Sequence, residues 1–494
     1  MDASVVIVGA GPAGLMLAGE LRLAGTDVVV LDRLPQRTGE SRGIGLTPRT
    51  VEVFDQRGLL PRFGDIEMSS LGHFGGIPLD FGILGEDDRA AKTVPQSVTE
   101  SVLEGWARDM GADIRRGQEF TGLRDLGDRV VVEVLGPAGR KELVARYVVG
   151  CDGGRSSVRK SAGFDFPGTS ATTELFLADV RGIDIEPRMV ADRVTDGMVM
   201  TSRLADGIHR IIVAERGAPP RRRTGPPAYA EVADLWKRLT GIDISQGEPL
   251  WVSAFGDATR QVTEYRRGRV LLAGDSAHIH LPAGGQGMNT SVQDAVNLGW
   301  KLAAVLRGTA DSALLDSYHS ERHEVGRRLL ANTRAQSLLI LGSDEVEPLR
   351  DILGTLMQYE DVARHFAAKA AGLDIRYDVG RGSNPLLGRR MPQLELLRAS
   401  GITSSTELLR SGRGVLLDLE DTPQLRQRAA AWRDRVDIVT AVPQGVAPGS
   451  ALDGAGAVLL RPDGHVAWIA PGSHHDLPSA LERWFGQGQR HAVA

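Results

Sequence analysis

The apolar positions near the N-terminus switch between two periods. Residues 5–8, within "SVVIV", form a continuous apolar, β-branched run, the pattern of a strand buried on both faces. Glycines and a proline interrupt it. Leu15, Leu17, Leu21 and Ala24 then fall on helical spacing, closed by Gly25. "DVVVLD" returns to an unbroken apolar run, so the first thirty-odd residues predict a βαβ unit. Further along, the pattern predicts a helix over 98–110 and strands in "DRVVVEVL", "ARYVVGCDG" and "RVLLAG". The stretch 172–263 reads mainly as strands, with a loop at "GAPPRRRTGPP". From 288 to 306 the apolar side chains Val292, Ala295, Val296, Leu302, Ala303 and Leu306 predict a helix that stops at Gly308, and helical patterns continue to about 372.

"DVGRGSNPLLGRRMP" has linker composition. Beyond it come "GVLLDL", a helix around 426–435, "VDIVTAV", a hairpin turning at Pro462-Asp463-Gly464, and "SALERWF". That order suggests a thioredoxin-like domain over 384–494. It contains no cysteine and so cannot do thiol chemistry. The expected fold class is α/β: a Rossmann-like nucleotide domain (1–75, 96–171 and 265–380) interleaved with a β-rich substrate domain (76–95 and 172–264).

Composition narrows the function classes. Charged residues make up 24% and hydrophobic ones 42% of 494 residues, ordinary for a soluble globular enzyme. A formal charge of -5 argues against a nucleic-acid surface. Cys151 is the single cysteine, so no disulfide forms within the chain, which fits a cytoplasmic location. The apolar N-terminal run is broken by glycines and has no basic flank, which argues against a signal peptide or membrane anchor.

Two glycine-rich loops carry the candidate chemistry. In the first, Gly9, Gly11 and Gly14 space as GxGxxG between strand and helix, with Pro12 and Ala13 inside the motif. The glycines permit a tight turn, let backbone approach a pyrophosphate, and pack helix on strand. Asp32, followed by Arg33, ends the second strand where a ribose would be held; its charge disfavours a 2′-phosphate, while FAD and NAD both fit. The second loop, "GDSAHIHLPAGGQGMN" over 274–289, follows a buried strand. Asp275 stands at that strand's carboxyl end, where an open α/β sheet keeps its ligand crevice. Gly284, Gly285 and Gly287 then lead into a helix N-terminus, which stabilises a ring that becomes negative. Reduced flavin is such a ring, so this loop favours FAD. His278 and His280 read as backbone-orienting residues, and no cluster of acids or cysteines makes them a metal site. Between the loops, Asp152 and Gly153 end a strand, with Arg155 and Arg159 after them.

Gly9/Gly11/Gly14, Asp152-Gly153 and Gly274-Asp275 occur in an order and spacing that resemble the single-component FAD-dependent aromatic hydroxylases of the para-hydroxybenzoate and phenol hydroxylase type. "RTGESRGIGLTPRTVEVFDQRG", "GHFGGIPLDFG", "TVPQSVTE", "WVSAFGDATRQVTEYRRGRV" and "LLDSYHSERHEVG" are similar to the aromatic polyketide hydroxylases, angucycline oxygenases above all. One departure is Leu281, where many relatives carry a second proline.

The resemblance implies that Asp32 holds the adenosine ribose and that Arg42 and Gln96 contact the flavin side of FAD. Asp152 would bridge FAD and a transient nicotinamide, and Asp275 would hold the ribityl-phosphate region. The backbone of Pro282, Gly284, Gly285, Gly287, Met288 and Asn289 would face flavin and substrate, with Pro282, Gly284 and Gly285 positioning the reaction. It further implies NADPH or NADH as electron donor and O2 as co-substrate. One oxygen atom would pass through a flavin C4a-hydroperoxide into a polycyclic aromatic polyketide, an angucyclinone intermediate of antibiotic biosynthesis. No catalytic base is assigned: His209 and Tyr229 lie in the strand-rich middle and read as structural, and Arg221, Arg222 and Arg223 read as a solvated loop. A homodimer stays open. The alternatives are a Baeyer–Villiger or antibiotic-inactivating flavin monooxygenase, and a non-catalytic flavoprotein.

Overall fold

The computed structural model describes residues 1–66, 68–85, 91–204 and 207–489. The expected domains 76–95 and 384–494 therefore reach residues 86–90 and 490–494 that lie outside it. The fold is mixed α/β. In the largest sheet, Ala3–Val8 lies between Gly139–Gly150 and Val28–Asp32; Val270–Leu272 and Asp113–Arg116 extend the two sides, all parallel. The helix Pro12–Leu23 crosses from the first strand to its neighbour and packs on the long helix Gln286–Leu306. Val5, Val6 and Ile7 are fully buried, as the unbroken apolar run requires.

The second sheet has five antiparallel strands in the order Arg188–Val194, Gly197–Arg203, Ile208–Glu215, Glu174–Arg181, Glu248–Gly256. Its side chains alternate between two destinations. Phe176, Ala178, Val180, Val199, Ile211 and Val213 pack on the helix Tyr229–Thr240. Leu175, Leu177, Met198, Met200 and Ile212 line a cavity on the other face. A one-residue slip of any strand would exchange the two sets, so register here decides the cavity's chemistry.

The C-terminal segment forms a sheet ordered Val436–Thr440, Gly414–Asp418, Ala457–Leu460, Val466–Ala470. The first two strands are parallel and the rest antiparallel, with the helix Leu477–Phe485 packed on the last strand.

Several boundaries differ from the sequence reading. The strand-rich middle also holds the helix Tyr229–Thr240, whose Val232, Leu235, Trp236 and Leu239 fall at i, i+3, i+4 and i+7. The helix expected over 426–435 starts earlier, at Pro423, and ends at Ala429; proline is suited to a first helical turn. The long helix begins at Gln286, two residues before the expected start. A domain boundary between 75 and 76 cuts the turn of a hairpin formed by Leu71–Phe74 and Ile77–Asp80. The arginine loop is not simply solvated. Arg221 is 74% exposed, but Arg223 is 19% exposed and grips both Glu174 and Glu231 through bonds of 2.9–3.0 Å.

Candidate active site

One cavity of about 640 Å³ runs from the first glycine turn, past the second glycine loop, to the apolar face of the five-stranded sheet. Gly11, Pro12 and Ala13 stand at one end. Arg42, Gln96, Gly153 and Asp275 lie along it, and Pro282, Gly284, Gly285, Gly287 and Met288 form its middle. These sequence-predicted residues come from five separate chain segments.

The glycines divide into two kinds. A Cβ on Gly14 would sit 2.0 Å from the Gly9 carbonyl oxygen, and one on Gly9, at φ 109°, would sit 2.3 Å from the Cys151 carbonyl oxygen. These two serve close packing of helix and strands. A Cβ on Gly11, Gly153 or Gly285 would meet no protein atom within 4 Å. At these positions backbone is left bare toward a ligand. Both helices that begin at the cavity, at Pro12 and at Gln286, lack a side-chain N-cap and carry no acid in the first turn. Their N–H groups and dipoles are left for an anionic ligand. Gly284 and Gly285 (φ 69° and 67°) supply the left-handed turn that leads into the second helix.

Other predicted residues sit behind the wall. Asp32 accepts N–H bonds from Ala10 and Leu34, both 2.8 Å, so it braces the glycine turn from the strand end. Arg33 is exposed. Asp152 accepts bonds from the Ser156 hydroxyl (2.5 Å), the Ser157 and Val158 N–H groups (2.6 and 3.1 Å) and the Ser276 hydroxyl (3.0 Å). Its carboxylate ties two loops together, while Gly153 alone of the pair reaches the cavity. Asn289 is buried. It accepts from Thr47 N–H (2.9 Å) and donates to the Gly285 carbonyl (2.8 Å), bracing the turn from below.

The histidines differ in duty. His278 bonds Asp294 (2.8 Å), which also accepts Arg322 Nε (2.6 Å) and the Gly274 N–H (3.1 Å). Burial pushes the Asp294 carboxyl up, but Arg322 and His278 outweigh it and hold it below its usual range. The second loop is therefore fastened to a buried charge. His280 lines the cavity beside Gly287 and bonds the Leu281 carbonyl through Nδ1 (2.7 Å). His209 and Tyr229 are not on the cavity wall. The Tyr229 hydroxyl donates to the Ile244 carbonyl (2.7 Å), and burial pushes it up to about 12.

Arg210 and His73 are among the wall residues that sequence reasoning missed. Arg210 is buried and forks onto Asp179 with two bonds of 2.7 Å, and Trp251 Nε1 donates to the same carboxylate. His73 stands in the Leu71–Phe74 strand. The signal for His73 was a lone polar residue inside a short apolar strand, whereas Arg210 stood beside His209 and was not singled out.

The family model described as FAD binding domain matches residues 2–333, and that of the aromatic-ring hydroxylase C-terminal domain matches 384–488. The chain belongs to the FAD-binding aromatic-ring hydroxylases. It is 43% identical to anhydrotetracycline monooxygenase of Streptomyces rimosus, over 98% of this chain and 99% of that one. Among solved structures it resembles CabE, an aromatic hydroxylase from angucycline biosynthesis (65% identity, 99% and 100% coverage, TM-score 0.96). It also resembles BexE, which takes part in oxidation during BE-7585A biosynthesis (66% identity, 99% and 100% coverage, TM-score 0.94). The protein is a flavin-dependent monooxygenase with FAD as cofactor and O2 and NAD(P)H as co-substrates. The bare glycines and uncapped helix ends suit a dinucleotide with a pyrophosphate and an electron-accepting ring. Among the described residues, no helix is long and apolar enough to cross a membrane, and no group of three or more His, Cys, Asp and Glu is placed to hold a metal.

Proposed function

We propose that this monooxygenase is an NADPH-consuming aromatic hydroxylase that inserts one oxygen atom into a polycyclic aromatic polyketide of the angucyclinone type. The observation that carries this reading is the single cavity joining the glycine turn, the second glycine loop and the apolar sheet face. Its glycine turns suit a dinucleotide, and its apolar sheet face suits a flat multi-ring ligand. The likeness to CabE supports the substrate class.

Bound FAD supplies the activation of O2 and the oxygen transfer that no side chain can perform. The chain's own part is placement. Gly9, Gly11 and Gly14 open the turn, with Pro12 and Ala13 leading the helix whose N-terminus meets the pyrophosphate. Asp32 and Arg33 serve the adenosine end. Arg42, Gln96, Asp275 and the 282–289 backbone hold the ring end, where the Gln286–Leu306 helix dipole stabilises negative charge. Asp152 acts on the nicotinamide step through Gly153 and Ser276, which it ties together. Leu175, Leu177, Met198, Met200 and Ile212 keep water off the reacting ring. The nucleotide part is Rossmann-like, the sheet-rich part with the 71–80 hairpin is the substrate domain, and the C-terminal part is a cysteine-free thioredoxin-like domain. The enzyme works in the cytoplasm.

Purified protein incubated with NADPH, labelled O2 and a panel of angucyclinone precursors tests this. A product that gains one labelled oxygen with an unchanged ring skeleton is expected. Skeletal insertion, or product without labelled oxygen, refutes it.

A further inference from the structure

The hairpin that closes the cavity is held unusually firmly. Its strands pair His73 with Pro78 and Phe74 with Ile77, and its turn residues Gly75 and Gly76 have φ 61° and 80°. Gly75 N–H donates to Gln336 (3.2 Å), and Arg350 donates to the Gly75 carbonyl (2.5 Å). A Cβ on Gly75 would lie 2.6 Å from Leu339, and one on Gly76 2.6 Å from the Ala191 carbonyl oxygen. The hairpin is thus wedged between the helix Asp316–Leu341 and the five-stranded sheet, and its first strand packs on the Ala283–Gly285 turn.

His73 is the polar residue that this strand contributes to the wall, on which Leu71, Pro78, Phe81, Met200 and Ile340 also stand. Its Nδ1 accepts the Gly76 N–H (3.3 Å). A backbone N–H can only donate, so Nδ1 carries a lone pair and the ring proton resides on Nε2. Among the described residues Nε2 has no hydrogen-bond partner, and the residue lines the cavity. Burial pushes the imidazole down to about 4, so the ring is neutral near pH 7. This excludes two roles at once: Nε2 has no lone pair to act as a base, and the ring has no charge to bind an anion. A fixed, neutral N–H donor remains, set in apolar surroundings next to the flavin-facing turn.

We infer that His73 is a specificity-determining residue whose Nε2–H donates to a carbonyl or phenolic oxygen of the polycyclic substrate and so fixes which ring carbon faces the Ala283–Gly285 turn. The inference rests on the proposed polycyclic aromatic ligand. A flat apolar ligand can slide along an apolar wall, and one directional bond removes that freedom. Losing a single neutral hydrogen bond corresponds to roughly tenfold in affinity.

The experiment compares wild type, His73→Leu and His73→Gln on an angucyclinone and on congeners each lacking one oxygen. His73→Leu should raise KM roughly tenfold for the parent and lower product formed per NADPH consumed. For one congener, the one lacking the oxygen that His73 meets, wild type and His73→Leu should coincide. His73→Gln, which keeps a donor, should recover part of the loss, and bound FAD should stay at the wild-type value, with the thermal midpoint above pH 7 lowered by no more than the few degrees that losing the Gly76 bond costs. Wild-type KM and coupling in His73→Leu overturns the donor. So does an equal loss on every congener, or a loss of FAD. If wild type oxygenates no polycyclic phenol, the reading of the ligand fails first and the donor with it.

Discussion

Arg461 offers the sharpest test of how the C-terminal segment serves the site. Its guanidinium is fully buried and forks onto Glu321 through bonds of 2.5 and 2.9 Å, while Nε reaches Asp463 (3.1 Å). Glu321 also accepts Lys301 Nζ (2.7 Å) and Asn297 Nδ2 (2.6 Å), both from the long Gln286–Leu306 helix. Burial alone would raise the Glu321 carboxyl; Arg461 and Lys301 instead hold it down to about 2, so it stays ionised. Arg461→Met leaves two buried carboxylates facing one lysine, which costs about 3–5 kcal/mol. If the segment 384–488 melts as its own unit, its unfolding entropy is about 0.2 kcal/mol/K and the midpoint falls by roughly 15–20 °C; if the chain melts as one, about 1 kcal/mol/K gives roughly 4 °C. Arg461→Lys keeps the charge but loses the fork and should fall between. Arg461→Met combined with Glu321→Met removes one charge of each sign and should regain most of the loss. Scanning calorimetry reads the shift, and tryptophan fluorescence locates it, because Trp484 and Trp300 lie 4.5 and 5.3 Å from the guanidinium. An Arg461→Met midpoint within about 1 °C of wild type refutes the clamp, because even whole-chain melting predicts more.

Gly11 and Gly14 should fail differently. Gly11→Ala should fold within about 0.5 kcal/mol of wild type yet bind FAD at least about tenfold more weakly, whereas Gly14→Ala, with a Cβ 2.0 Å from Gly9, should lose about 3 kcal/mol of stability; chemical denaturation and bound-flavin absorbance separate them. Gly285→Val places a β-branched residue at φ 67° and should lose FAD or uncouple NADPH oxidation from product; normal flavin content with normal yield refutes the positioning role. Stability should also fall in mild acid. The His73 pKa drops from 6.5 unfolded to about 4 folded, so the unfolded chain binds the extra proton; stability is full above pH 6.5 and declines toward pH 4 by up to about 3 kcal/mol, a ceiling because the ring meets the cavity. His73→Leu should flatten that part of the melting-temperature profile, and an unchanged profile counts against the assignment.

What could be read from sequence was what is local. The Gly9, Gly11 and Gly14 spacing and the 274–289 loop each carry their meaning within a short stretch; Gly11 and much of the loop line the cavity, while Gly9 and Gly14 pack behind it. The surroundings of Asp152 were not legible, although they are partly local. A local bond to Ser156 and the start of the helix Ser157–Ser161 took up its carboxylate, a competition that Asp enters readily. The helix Tyr229–Thr240 was legible from its spacing but hidden among strands. Arg461 and Glu321 are 140 positions apart, and nothing in either neighbourhood announces the other. His73 needed the hairpin, the Gly76 N–H and the facing cavity before its tautomer had a meaning.

The buried charges explain how a turn made of glycines can be held in one place. The turn's own backbone is permissive, so its position must be imposed from the helix behind it. Asp294, Asn297 and Lys301 recur at i, i+3 and i+7 along that helix, and each engages a charged partner: Arg322, Glu321, and Glu321 again. Arg322 in turn bonds the Tyr377 hydroxyl (2.9 Å), whose ring lies 4.4 Å from His465 at the edge of the C-terminal hairpin. An apolar face would tolerate a small slide or rotation of the helix, because one methyl contact replaces another. Paired charges do not, because any displacement leaves a buried ion unmatched at several kcal/mol. The desolvation cost of these pairs therefore maintains the register that holds Gly285 and the helix N-terminus at one depth in the cavity. On this account the C-terminal segment acts on the chemistry without touching it, and Arg461→Met should uncouple NADPH oxidation from hydroxylation at temperatures where the protein is still folded.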